Sequence, residues 1–227
     1  RILFIRIIGE VMENILPREA EHQLPEWLTG QMSDLERQKL FDWVYTSEPS
    51  TVVEIGGGSG GGSTFSIAEA MARLRDEGKC QNSVLLTADP ENGPAREFYG
   101  QNERYKDFIK FLSFSSEFEY IFPSQLFPPP DFLFFDGPED PTLNLEDFKF
   151  FDNIVKSGCK FSCHDWETSP RAFDGATSVK ASMLRPYLES LETWETSEYL
   201  SGLDGEWPNL DPESRAVSVG LICMVKK

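Results

Sequence analysis

At 227 residues the chain is long enough to bury the core of one sizeable domain with appendages. Its 38 Asp and Glu against 21 Lys and Arg leave a formal net charge of −17. That charge disfavours nucleic acid and anionic membrane surfaces as partners and admits a neutral or cationic small molecule. Four cysteines (Cys80, Cys159, Cys163 and Cys223) contain no Cys-x-x-Cys pair, which predicts reduced, mostly buried thiols and an intracellular, cytoplasmic setting.

Residues 1–32 are mixed in character and interrupted by Pro17 and Pro25, and the early apolar run Ile2-Leu3-Phe4-Ile5 is broken by Arg6. Neither a signal peptide nor a membrane span is expected there. The segment reads as a lead-in, a cap on the substrate side or a linker from an upstream domain. The initial Arg suggests a piece excised from something longer, and His22 reads as a surface residue. The domain proper is expected to occupy residues 33–227.

Ser33-Asp34-Leu35-Glu36 has the reciprocal capping-box pattern and opens a helix that ends before Pro49, with Leu35, Leu40, Phe41 and Val44 near one face. Strands then alternate with helices. Strands are predicted at 51–55, 83–88, 108–112, 131–135 and 160–164, and helices at about 63–77, 92–104, 144–156 and 176–191. Val84-Leu85-Leu86 and Phe132-Leu133-Phe134-Phe135 are nearly unbroken apolar runs, as strands buried on both faces should be. Trp194 to Leu200 and Ala216 to Met224 are joined by a stretch full of turn residues, which predicts an antiparallel hairpin. The expected fold is α/β and Rossmann-like: a seven-stranded, mostly parallel sheet with an antiparallel C-terminal hairpin and helices on both faces.

The most informative stretch is Val52-Val53-Glu54-Ile55 followed by six glycines among the seven positions 56–62, then Ser63-Thr64. A plain Gly-Ser linker would not sit between an apolar strand and the helical pattern that begins at Ser63. Glycines there permit positive φ and bare backbone against a ligand, and the helix N-terminus behind them offers free N–H groups. In an open parallel sheet the ligand crevice lies beyond the carboxyl ends of the strands. Strand ends here carry Glu54, then Asp89 before Pro90, then Asp136-Gly137, then Cys163-His164-Asp165-Trp166. Asp89 is placed to grip a ribose diol, although a turn residue before Pro90 would look the same. A lone imidazole is usually a satisfied core residue, but His164 beside Asp165 at a strand end is also a candidate base.

This ordered set resembles the class I S-adenosylmethionine-dependent methyltransferases over about residues 33–227. The Asp-Gly and His-Asp landmarks look like the small-molecule O-methyltransferase branch that includes macrolide sugar O-methyltransferases. The resemblance implies that Glu54, Gly56, Gly58, Gly60 and Ser63 form the cofactor loop, that Asp89 holds the ribose hydroxyls, and that Ser113 to Ser115 lie near the adenine. It implies that Asp136 and Asp165 hold Mg²⁺, or, without metal, that Asp136 shapes the cofactor pocket and His164 acts as base alone. Relatives often carry a histidine shortly after the Asp-Gly, where this chain has Pro138-Glu139-Asp140, so Glu139 or Asp140 is the substitute candidate as base or ligand. Ser157-Gly158-Cys159 stands where the branch has Pro-Gly-Gly.

The expected reaction is methyl transfer to a hydroxyl of a small-molecule acceptor, with no nucleic acid or membrane partner; a homo-oligomer is compatible with the sequence. Trp166 and Trp207 are candidates for the acceptor pocket, and Arg171, Lys180 and Arg185 for substrate contacts, although ordinary packing and a solvated helix face explain them as well. Two other classes stay open. A nicotinamide-dependent oxidoreductase would use a glycine loop and a strand-two acid, but with the shorter gap of roughly 20 residues between them. A catalytically inactive methyltransferase-like domain of a larger protein would explain the missing histidine.

Overall fold

The computed structural model describes residues 25, 28, 30–138, 140–166, 180–200 and 220–227. Helix α1 (Asp34–Ser47) begins where its capping box places it. The Ser33 hydroxyl accepts from the Glu36 N–H, and the Glu36 carboxylate accepts from the Ser33 N–H at 3.0 Å. Leu40, Phe41 and Val44 are buried as expected, but Leu35 is 44% exposed, on the solvent side of the first turn.

Strand β1 (Thr51–Ile55) is fully buried, and its start is fixed by Asp131, whose carboxylate accepts from the Ser50 and Thr51 N–H groups. There follow α2 (Ser63–Asp76), β2 (Val84–Ala88), α3 (Gly93–Gln101), β3 (Ile109–Leu112), a 3₁₀ turn (Ser115–Glu117) leading into the single-turn α4 (Phe118–Ile121), and β4 (Phe132–Phe135). Next come α5 (Pro141–Asp152), β5 (Lys160–His164), α6 (Leu184–Glu189), β6 (Trp194–Leu200) and β7 (Leu221–Lys226). The sheet has seven strands in the order β3-β2-β1-β4-β5-β7-β6. β1 to β5 pair in parallel, while β7 runs antiparallel to both β5 and β6. The expected fold class holds.

Helix limits differ where polar side chains intervene. α5 starts three residues before the expected 144, because Asp140 caps it by accepting from the Thr142 N–H and Pro141 suits the first position. α3 stops at Gln101, where Asn102 turns the chain by accepting from the Arg104 N–H. Of the helix expected over 176–191, residues 176–179 lie outside the described set and residues 180–183 form a turn, leaving the short α6. The hairpin loop and the first residues of the expected terminal strand also lie outside it.

Period-two alternation divides the core between the two faces of the sheet. Val52, Leu85, Phe132 and Phe134 pack with Leu40, Phe41 and Val44 of α1 and with Phe65, Ile67 and Met71 of α2. Val53, Leu86, Leu133, Phe135 and Phe161 point the other way, toward Phe118, Phe148, Phe151 and Leu184. The second layer is aromatic: Phe161 meets Phe148 and Phe135 edge to face at 5.1 and 5.2 Å between centroids, and Trp194 of β6 leans on Phe148 at 5.5 Å. Asp152 at the end of α5 ties in the hairpin by accepting from the Trp194 indole at 2.9 Å and from Lys226 at 2.8 Å. All four cysteines are free thiols, three of them buried. Among the described residues no helix is long and apolar enough to cross a membrane.

One carboxylate is a stability cost. Asp147 lies on α5 with its Oδ2 buried and, among the described residues, without a hydrogen-bond partner, and burial pushes its pKa from 3.8 up to about 6, only partly offset by a hydrogen bond with Ser115. A carboxyl whose folded pKa is raised binds its proton more tightly in the native state, so its contribution to stability is lost as pH rises from about 4 through 6. Asp147→Asn is therefore expected to raise the thermal midpoint at pH 7.5 while leaving it nearly unchanged at pH 3.5, as measured by circular dichroism melting.

Candidate cofactor and acceptor site

The strand order reverses between β1 and β4, so a crevice opens at their carboxyl ends. The chain leaves β1 through Gly56, whose φ is +90° and whose N–H donates to the Ala88 carbonyl at 2.9 Å. A Cβ on Gly56 would stand 2.0 Å from the Asp136 carbonyl oxygen, so only glycine lets the ends of β1 and β4 approach this closely. Gly60 (φ +89°) serves packing instead, since a Cβ there would meet Ala95 of α3 at 2.7 Å, and its carbonyl accepts from the Tyr99 hydroxyl. Gly58 has φ +50° and open space where its Cβ would be, which leaves that side of the loop open to a ligand.

Glu54 does not face the crevice. It is fully buried and accepts from the Ser63 hydroxyl at 2.6 Å and the Thr64 hydroxyl at 2.7 Å. Burial pushes its carboxyl above the usual range, with those hydroxyls pulling the other way. It thereby pins the start of α2 under the glycine loop, and Ser63 is engaged by it rather than held free.

A cavity of ≈ 300 Å³ lies over the loop, lined by Gly56 to Ser59, Gly62 and Ser63, with Asp89, Glu91 and Asp136 as its acidic walls and Gly30, Gln31 and Met32 closing one side. Asp89 spans the loop: Oδ2 accepts from the Gly58 N–H at 2.8 Å and Oδ1 from the Glu91 N–H at 2.7 Å. Each carboxylate oxygen can accept more than once, so among the described residues each keeps acceptor capacity toward the cavity. Ser113 follows β3, its N–H donates to the Glu117 carboxylate at 2.7 Å, and it is not part of the cavity lining. Residues 30–32 end the segment read from sequence as a lead-in or substrate-side cap, and here they form part of the cavity wall. Gly30 permits the close approach, since a Cβ there would collide with the Gly62 backbone at 2.4 Å.

Beside the cavity the ends of β4 and β5 bring Asp136, His164 and Asp165 together. His164, 2% exposed, lies with Nδ1 3.3 Å from Asp136 Oδ2 and 3.9 Å from Asp165 Oδ1, and with Nε2 3.5 Å from Glu36 Oε1. Lys180 completes the group, its Nζ 2.9 Å from Asp136 Oδ1 and 3.0 Å from Asp165 Oδ2. Burial alone would lower the pKa of His164, but the carboxylates of Asp136, Glu36 and Asp165 raise it well above the ordinary imidazole value. Asp136, despite its own burial, is held below the usual carboxylate range by Lys180 and His164. Asp165 takes a left-handed backbone (φ 53°), a conformation that aspartate tolerates better than bulkier residues. Glu139, Arg171 and Trp207 lie outside the described residues. Trp166 is buried, with the Arg185 guanidinium 5.9 Å over its ring.

No family model matches the chain, and no curated protein does. Solved structures do. An O-methyltransferase from Bacillus cereus in complex with SAH aligns at a TM-score of 0.62 and 17% identity, over 96% of this chain and 91% of that one. The cofactor-bound Rv0187 from MTB aligns at 0.63 and 14%, over 96% and 88%. The O-methyltransferase TomG from Streptomyces achromogenes, involved in tomaymycin synthesis and solved with SAM, aligns at 0.60 and 14%, over 92% and 85%. This chain has the class I methyltransferase fold. Its glycine loop, strand-two acid and strand-four acid occupy the switch point of that fold, where the cavity lies.

One member of the polar cluster, Glu36, was missed as a site residue, and another, Lys180, has a different role from the one expected. Glu36 reads in sequence as a helix cap, and it is one, but its second oxygen faces His164. Lys180 reads in sequence as a substrate contact or a solvated helix face, whereas it is 9% exposed and paired with both strand-end aspartates. The donor set for a metal is present in kind, since Asp136, His164 and Asp165 offer ligand atoms within 4.8 Å of one another. It does not fit the expected Mg²⁺ as it stands, because the Lys180 ammonium already lies between the two carboxylates.

The loop gives a direct test. Gly58→Ala is expected to cost roughly 1–2 kcal/mol through its left-handed backbone alone. Gly56→Ala should abolish folding through the clash with Asp136. Chemical denaturation of the two purified variants separates the cases.

Proposed function

We propose that this chain transfers a methyl group from S-adenosylmethionine to an oxygen of a small-molecule acceptor. The observation that carries this reading is the acid-walled cavity over the glycine loop, at the switch point of a methyltransferase fold. The volume of ≈ 300 Å³ is at the lower end of the range for small-molecule sites. When bound, the cofactor supplies a methyl group activated on a cationic sulfonium.

The chain's own residues would do the rest. Asp89 presents its remaining lone pairs to the ribose diol, and its bond to the Gly58 N–H holds it against the loop. Asp136, kept ionised by Lys180 and His164, sets a negative charge on the cavity wall where a cationic ligand is favoured. Gln31 and Met32 close the side of the cavity and help exclude water, which favours a collinear approach of donor and acceptor. His164 is enclosed by three carboxylates, which supports a positioning role for it rather than that of a general base. Asp165 shares that role by fixing Lys180. The formal net charge of −17 supports a neutral or cationic acceptor over a nucleic acid.

Calorimetric titration of the purified chain with S-adenosylmethionine tests the reading. Binding is expected, weakened roughly 10- to 100-fold in Asp89→Ala, the range for hydrogen bonds to a charged group. Binding of NAD in its place would overturn the proposal in favour of an oxidoreductase. Cofactor binding with no turnover across a broad panel of hydroxyl acceptors would overturn the catalytic part and leave a binding domain.

A further inference from the structure

We propose that Lys180 is the resident cation of this site, standing between the acids that end β4 and β5, where the sequence resemblance implies a divalent metal. The geometry closes on both sides. Asp136 directs Oδ1 at the ammonium and Oδ2 at the imidazole, while Asp165 directs Oδ2 at the ammonium and Oδ1 at the imidazole. All four carboxylate oxygens therefore face a side chain of the protein itself. A divalent ion bound by the same oxygens would sit at about 2.0–2.6 Å from them, in space that overlaps Nζ, and it would meet the repulsion of the lysine's charge.

The lysine is not a loose surface tail that has fallen into the site. It is buried, and its backbone carbonyl accepts from the Asn144 amide of α5 at 3.3 Å. The same amide holds the Pro138 carbonyl at 2.9 Å, so one buried side chain fixes both the Asp136-Gly137-Pro138 turn and the segment bearing Lys180. A Cβ on Gly137 would meet Ile55 at 2.8 Å and Asn144 at 3.2 Å, which keeps that turn tight against the anchor. Breaking a buried pair strands the remaining charge, so removing Lys180 leaves two adjacent carboxylates in need of a counter-ion.

The consequence for catalysis rests on the methyl-transfer reading: turnover would continue in EDTA. The cation claim has its own readout. Mn²⁺ binding, followed by electron paramagnetic resonance of the free ion, should be undetectable at this site in the wild type. It should strengthen roughly tenfold or more in Lys180→Ala and be lost again in Lys180→Ala combined with Asp165→Asn. Lys180→Met, which keeps the stem and removes the charge, serves if the alanine variant does not fold. Mn²⁺ held stoichiometrically by the wild type and released in Asp165→Asn would overturn the proposal. A folded Lys180 variant that gains no Mn²⁺ would overturn it equally. Calorimetry with S-adenosylmethionine on the same samples scores the cofactor reading separately, so either claim can fail while the other stands.

Discussion

The approach of Gly56 to the carbonyl of Asp136 is the constraint on which the site depends. The Asp136 N–H donates to the Ile55 carbonyl at 2.8 Å, and the absent Cβ of Gly56 leaves room for the Asp136 carbonyl itself. Because the two strand ends meet without a side chain between them, the glycine loop turns outward over the sheet. The Asp136 carboxylate then stands at the boundary between the cavity and the cation cluster. Glu54 stabilises the other end of the loop by engaging the hydroxyls that open α2. The loop is thus held at both ends, with Gly58 in between as its open stretch.

The cluster behind the cavity is electrostatically demanding. Glu36, Asp136 and Asp165 face His164, and the two aspartates share Lys180, all at low exposure. Burying charges is costly unless each finds close partners, and a half-satisfied network is worse than an apolar core. Here the members come from α1, β4, β5 and the segment before α6, so the network is complete only when these elements have come together. Pairing across so many elements joins the helix preceding β1 to the acidic strand ends. The structural role of the capping box and the chemistry of the site therefore meet in one side chain, Glu36.

Much of the architecture was legible in the sequence because it follows from local chemistry. The capping box at Ser33, the unbroken apolar runs of β2 and β4, and the glycines after β1 each carry their meaning within a few residues. Where local reading misjudged a limit, a nearby polar side chain was responsible: Asp140 started α5 early and Asn102 ended α3 early. Leu35 shows the limit of periodicity, since the first turn of a helix can turn an apolar residue to solvent when the capping residues take the inward positions.

By itself the sequence determined the layered α/β fold, the glycine loop and the set of acids at the strand ends, because period-two hydrophobicity and the conformational freedom of glycine are properties of short segments. Only the tertiary structure decided what those acids face. Glu54 turns inward to Ser63 and Thr64, Gly30 meets Gly62 across the loop, and Lys180 reaches Asp136 and Asp165 from far along the chain. Burial and charge pairing depend on which elements the sheet order makes neighbours. No pattern of spacing encodes that a lysine beyond β5 will lie between two aspartates.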